Sequence, residues 1–354
     1  MTSDDRDEPA PPRAAERVVV DASDPAGMAA ALVAPGARLR AGGLVAFPTE
    51  TVYGLGANAL DAAAVERVFV AKGRPAYNPL IVHVDAVERV TAVARELSPL
   101  ARRVADRFWP GPLTLVLPRR PEVPDVVTGG LDTVGVRVPS HPVARLLIAA
   151  AGVPLAAPSA NPFTQVSPTT AQHVLAQLGD RIDAVVDSGP TTVGIESTVV
   201  AVESGPDGAE RLVLLRHGGV SLGELQEAGF VVVEPDAAED QGAARRSPGR
   251  IERHYAPGVP LVGVLRREDG ALELPLPSTA SLFAVLARGD GAGAEQAAAC
   301  EVLPADLAGF TRGLYAALHR IAASGCAVAY VERLPRDPAW RAVADRLRRA
   351  GLAD

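Results

Sequence analysis

Two α/β units joined by a linker form the architecture that this 354-residue sequence predicts. Strand-like and helix-like segments alternate along residues 17–230, the composition breaks over 231–257, and the alternation restarts over 258–354. The length agrees, because a single hydrophobic core stops growing at about 250–300 residues. A hydrophobic content of 48% and a charged fraction of 22% fit a globular chain.

Residues 1–16, with Asp4, Asp5, Asp7 and Glu8 among Pro9, Pro11 and Pro12, read as a disordered acidic tail. An Ala/Leu-rich stretch at 27–42 predicts a helix despite Pro35 and Gly36, and 43–48 a short buried strand ended by Pro48. Residues 61–72 predict an amphipathic helix running into Lys72, followed by a strand at 80–84 and a helix at 98–108. Strands at 113–117 and 134–138 precede a helix at 142–151. Short strands at 154–157 and 184–187 flank a helix at 169–178, and strands at 197–200 and 212–215 complete the unit. From Glu234 the composition turns acidic, then basic, and ends in His254-Tyr255-Ala256-Pro257, which marks 231–257 as linker. Strands at 261–265, 282–286 and 328–331 and helices at 307–323 and 338–350 make the second unit. No G-x-G-x-x-G or P-loop pattern occurs.

The charge layout narrows the function. The net charge is −7, and the excess lies in the tail and linker, because residues 37–220 hold 17 acids and 17 bases and 257–354 hold 11 of each. A protein built to grip nucleic acid usually carries a basic excess on one domain. Cys300 and Cys326 show no metal or disulfide spacing, which suits a reducing cytoplasm. The acidic N-terminus is unlike a signal peptide, and no apolar run is long enough to span a bilayer.

One residue stands out against this background. Lys72 is the only lysine beside 34 arginines, and Asn58, Asn78 and Asn161 are the only asparagines. Lysine is a compact point charge and arginine a planar fork, so a position that stays Lys is a candidate for work only an ammonium does. Several loops at strand ends share this promise. Residues 48–56 hold hydroxyls at Thr49 and Thr51 and glycines at 54 and 56; a ligand loop and a plain strand-to-helix turn both fit. Lys72 and Arg74, with Asn78, either meet phosphate or form a solvated basic loop. Arg137 shares a strand face with Thr133 and Gly135, so this cation needs an anion, either a ligand or a structural partner. Residues 158–161, with Ser159 and Asn161, end a strand, and Ser167 lies in the cap region of a helix, where phosphates also bind. Ser197 and Arg216 sit in two further loops. This inventory suits electrostatic positioning of a nucleotide and a small acid, with no metal cluster and no Ser/His/Asp set.

Thr49-Glu50-Thr51-Val52-Tyr53-Gly54-Leu55, Lys72-Gly73-Arg74-Pro75, Pro110-Gly111-Pro112-Leu113-Thr114, Ala157-Pro158-Ser159-Ala160-Asn161 and Ser197-Thr198-Val199 resemble the YrdC family, the threonylcarbamoyl-AMP synthases, in its long two-domain form. The resemblance implies a twisted mixed sheet with helices around a concave cleft, plus a smaller Rossmann-like α/β C-terminal domain over 258–354. It implies a nucleotidyltransferase that makes threonylcarbamoyl-AMP from L-threonine, bicarbonate and ATP with release of pyrophosphate. Downstream threonylcarbamoyl-transferase proteins then modify tRNA beside the anticodon. By position, Thr51, His83, Arg137, Ala157 and Ser197 resemble the threonine and bicarbonate site, with Arg137 on the carboxylate. Arg74, Asn78, Thr133, Ser159, Asn161, Ser167 and Arg216 resemble ATP-contacting positions, and Tyr255 a residue that reaches back over the nucleotide as part of a lid. Lys72 and Arg74 are the expected catalytic pair on the departing pyrophosphate, with Mg²⁺ held mainly through ATP. Thr164 stands where Gly is common, His217 where Pro is common, and Ala201 where Asp often follows. Two alternatives are a double-stranded RNA or tRNA-binding module without catalysis, and carbamoyl transfer from carbamoyl phosphate, which needs catalytic domains this chain lacks.

Overall fold

The computed structural model describes residues 14–205, 208–235, 254–275 and 282–353. Eleven strands form one mixed sheet: β1 Glu16–Val19, β2 Val45–Phe47, β3 Gly54–Asn58, β4 Ile81–His83, β5 Leu113–Pro118, β6 Thr133–Arg137, β7 Leu155–Ala156, β8 Ala184–Asp187, β9 Thr198–Ser204, β10 Glu210–Arg216 and β11 Val232–Val233. Their order is β1-β8-β2-β3-β7-β4-β6-β5-β9-β10-β11. A second sheet, entirely parallel, runs β12 Leu261–Val264, β15 Val328–Glu332, β13 Phe283–Arg288 and β14 Ala299–Leu303 in that spatial order. The expected α/β class with a smaller C-terminal α/β unit is the one observed.

Local chemistry explains the helices that position the cleft. Asp61 caps Ala62–Lys72 by accepting from Ala63 N at 3.0 Å, and Gly73 ends that helix in a left-handed conformation at φ 63°. That turn returns the chain so that Arg74 N donates to Phe69 O and both Lys72 and Arg74 are buried. Ser98 caps Pro99–Phe108, and Thr170, not Ser167, caps Ala171–Leu178. The stretch expected as one helix at 27–42 is two, Pro25–Ala31 and Val33–Arg40. Pro35 falls in the first turn of the second, where no intrahelical N–H is needed.

Four strands differ from expectation, the first being β1, which was not anticipated and begins at Glu16 inside the segment read as tail. The residues read as a turn after Pro48 include β3, which pairs antiparallel with β2 through Phe47 and Gly54. β14 was not anticipated, and β11 lies inside the segment read as linker. Of that segment, 236–253 fall outside the described residues, as do 1–13 of the tail. The first unit has a core on each face of its sheet, one around Leu115, Val65 and Val104 and one around Phe47, Leu39 and Leu147. The second unit's core, around Leu314, Ile321 and Leu347, is continuous with Val52, Val166 and Ile195 of the first unit and with Tyr255. The two units are therefore packed through shared apolar burial.

Gly36 tests the packing of two helices inside the first unit, Val33–Arg40 and Pro142–Ala151. A Cβ there would lie 2.8 Å from Ala150 C and 2.9 Å from Ala150 Cβ, in the facing helix Pro142–Ala151. Alanine improves helix propensity by about 1 kcal/mol, whereas overpacking costs about 1–3 kcal/mol. Gly36→Ala is expected to lower unfolding free energy, as read by urea denaturation; an increase would show that this interface has slack.

Candidate active site

The loops after β2 and β7, the loop before β4, strand β4, the end of β6, the loop before β9 and the end of β10 converge on a cavity of about 60 Å³. Thr51, Arg74, His83, Arg137, Ala157, Ser159, Ser197, Arg216 and Tyr255 all line it. Glu196 and His254, which the sequence reading did not single out as ligand residues, line it too. Three guanidinium groups thus face one carboxylate across the cavity.

Each charged group is fixed from behind. Arg137 donates from Nε to Gly111 O at 3.2 Å, and its Nη2 lies 2.7 Å from Glu50 Oε1, with both side chains almost fully buried. The structure supplies an in-chain anion for Arg137, one of the two partners the sequence allowed. Burial works to raise the Glu50 carboxyl, but the Arg137 cation outweighs it and holds the acid below its usual range. Arg74 donates to the carbonyls of Asn78 and Pro79 at 3.2 and 2.9 Å. Burial, with the Arg216 cation adding to it, pushes Arg74 down to about 9. Arg216 donates to Ser197 O and, at 3.2 Å, to Ser197 Oγ. Thr51 and Thr49 share a 2.7 Å hydroxyl bond, and Thr49 Oγ1 donates to Val52 O. Burial and then Arg137 push His83 down to about 3, and its Nδ1 is buried without a hydrogen-bond partner.

Other expected residues stand one step back from the cavity. Lys72 is 3% exposed, and its ammonium donates to the carbonyls of Ser159 and Asn161 at 2.5 Å, pinning the loop at 158–162. Burial, reinforced by Arg74, pushes it well below the usual lysine range. Asn78 keeps a buried Nδ2 without a hydrogen-bond partner. Asn161 donates from Nδ2 to the carbonyls of Pro162 and Gln165. Ser167 Oγ donates to Glu196 Oε1 at 2.7 Å. Thr133 begins β6 opposite Pro118, at the far end of the strand from Arg137. Thr164 holds φ 70°, a left-handed backbone that explains why Gly suits this position, and its carbonyl accepts from Ala256 N at 2.9 Å. His217 pairs with Glu234, which also binds Arg341.

Glu196 joins the two units. It accepts from Ser167, from Tyr315 at 3.2 and 2.9 Å, and from Arg346 Nε at 3.0 Å. Burial works to raise this carboxyl, but Arg346, Arg216 and the Ser167 hydroxyl hold it down at about 2. Among the described residues no group of three or more His, Cys, Asp or Glu is placed to hold a metal.

A family model described as "Telomere recombination", for the Sua5, YciO and YrdC proteins, matches residues 37–218. A second, described as "Threonylcarbamoyl-AMP synthase, C-terminal domain", matches 220–351. The chain is similar to the Threonylcarbamoyl-AMP synthase of Pyrococcus abyssi, 48% identical over 227 residues, covering 64% of this chain and 65% of the relative. The Bacillus subtilis protein of the same name is 44% identical over 226 residues, 64% of each chain. These matches span just under two thirds of the curated relatives' length. The crystal structure of P. abyssi Sua5 complexed with L-threonine superposes with a TM-score of 0.79 at 36% identity, over 95% of this chain and 97% of that one. No helix among the described residues is long and apolar enough to cross a membrane.

Burial holds all six histidines below their ordinary value, His83 and His254 at about 3. The unfolded chain therefore takes up protons first, so their contribution is complete above about pH 6.5 and is lost as pH falls. Unfolding free energy is expected to drop by about 1.4 kcal/mol per pH unit for each histidine in its window. His254→Gln removes one proton from that slope between about pH 6 and 4; an unaltered slope in denaturation series would contradict the burial assignment.

Proposed function

The chain belongs to the Sua5/YciO/YrdC family, and from that membership and the charge of its cleft we propose that it makes threonylcarbamoyl-AMP from L-threonine, bicarbonate and ATP, releasing pyrophosphate. The observation that carries this reading is the convergence of Arg74, Arg137 and Arg216 on a buried cavity with a single lining carboxylate. Desolvated cations in such excess favour a polyanion. The curated relatives' name and the threonine-bound state of the P. abyssi structure supply the substrate class.

In this reading Arg137 takes the threonine carboxylate beside Thr51, His83, Ala157 and Ser197, all on the cavity wall. Arg74, Arg216 and Ser159 take the nucleotide, and Asn78 Nδ2 is a buried donor awaiting an acceptor. Lys72 acts through the loop it pins, and a nearby triphosphate would favour its charged form. The carbamate oxygen attacks the α-phosphate while these fixed donors take up charge on the leaving pyrophosphate. Magnesium would be held through ATP oxygens and would neutralise phosphate charge there, because Glu50 and Glu196 are each engaged by arginine. The carbamate decomposes in water, so exclusion matters. Tyr255, 1% exposed at the cavity, is the residue of the 231–257 segment that provides it. The product passes to threonylcarbamoyl-transferase proteins that act on tRNA.

The test is pyrophosphate release from ATP with labelled bicarbonate, with and without threonine. Threonine-dependent release is expected; absent or threonine-independent release sinks the reading. Arg74→Ala is expected to lower the rate by about 100-fold or more, as for loss of one charge-stabilising donor. Arg137→Ala is expected to raise the threonine KM about tenfold or more, with a smaller change for ATP.

A further inference from the structure

Arg346 is the largest side chain with no exposure, and it belongs to the second unit. Its Nε donates to Glu196 of the first unit, its Nη1 lies 3.2 Å from Asp345 Oδ2, and its guanidinium carbon stands 5.5 Å from the Tyr255 ring centre. Tyr315, also of the second unit, donates its hydroxyl to both Glu196 oxygens and stacks on Tyr255 with centroids 5.5 Å apart and planes 28° apart. Tyr255 is therefore held by a cationic group and an aromatic face, both anchored on one carboxylate. Its backbone holds φ 63°, and its neighbours are tied down by His254 N to Arg349 O and Ala256 N to Thr164 O, both 2.9 Å.

So seated, Tyr255 is 1% exposed and forms part of the cavity wall. Withdrawal of Tyr255 from the cavity wall would break its stacking on Arg346 and Tyr315. We propose that Arg346, seconded by Tyr315, is a positioning residue supplied by the second unit: it seats Tyr255 over the cleft. The latch is a geometric claim on its own; its effect on turnover rests on the functional reading above.

Hydrogen–deuterium exchange at the His254 and Ala256 amides of the full chain, without ligand, tests the latch. Loss of a buried cation–π partner and an ion pair predicts exchange about tenfold faster in Arg346→Ala, with the amides of helix Leu307–Ala323 unchanged. Arg346→Lys keeps the charge on Glu196 and should restore part of the protection. Wild-type exchange at both amides in folded Arg346→Ala overturns the proposal. Should that variant not fold, Tyr315→Phe decides, since it removes only the hydroxyl: about threefold faster exchange supports the latch, and unchanged exchange overturns it. In the pyrophosphate assay Arg346→Ala should alter ATP KM and kcat, yet add nothing in a Tyr255→Ala background; full additivity there counts against action through Tyr255. If wild-type protein releases no pyrophosphate while the exchange results hold, the functional reading fails and the latch stands.

Discussion

The Glu196 carboxylate is the point on which the arrangement turns. A carboxylate taken out of water is unfavourable unless hydrogen bonds and opposite charge surround it. Here one hydroxyl comes from the cleft, at Ser167, while the second unit supplies the phenol of Tyr315 and the guanidinium of Arg346. Removing any one leaves the others facing a partly compensated charge. Docking of the second unit and the shape of the first unit's pocket are thus a single electrostatic problem. The shared apolar core, which joins Leu314 and Leu347 to Val52 and Ile195, adds non-directional adhesion, and Glu196 adds the register.

Much of the first unit could be read from local pattern. Helices with a capping residue and a clear apolar stripe, such as Pro99–Phe108 and Pro142–Ala151, fell within a residue or so of their expected ends. β3 did not, because Gly54-Leu55-Gly56-Ala57-Asn58 has little intrinsic strand preference; it forms through pairing with β2 and β7. β14 alternates buried and exposed residues too weakly to be distinguished from loop. The lone lysine did point to the cleft, but its ammonium faces backbone carbonyls, an outcome that composition cannot distinguish from a ligand contact.

The second unit's part in the site was the least legible. Glu196 and Arg346 are 150 positions apart, and no local pattern links them. One signal was present: Val343, Arg346, Leu347 and Ala350 recur at helical spacing on the buried side of Arg341–Arg349. An arginine within an apolar stripe implies a distant anion.

That separation along the chain has a consequence during synthesis. At about 5–20 residues per second, the 150 residues from Glu196 to Arg346 take a ribosome roughly 8–30 s to add. Until the second unit docks, the nascent first unit must keep part of Glu196 hydrated, because of the groups that compensate it only Ser167 and Arg216 lie in the first unit. Its cleft stays wet and uncapped until the second unit has been translated and has docked.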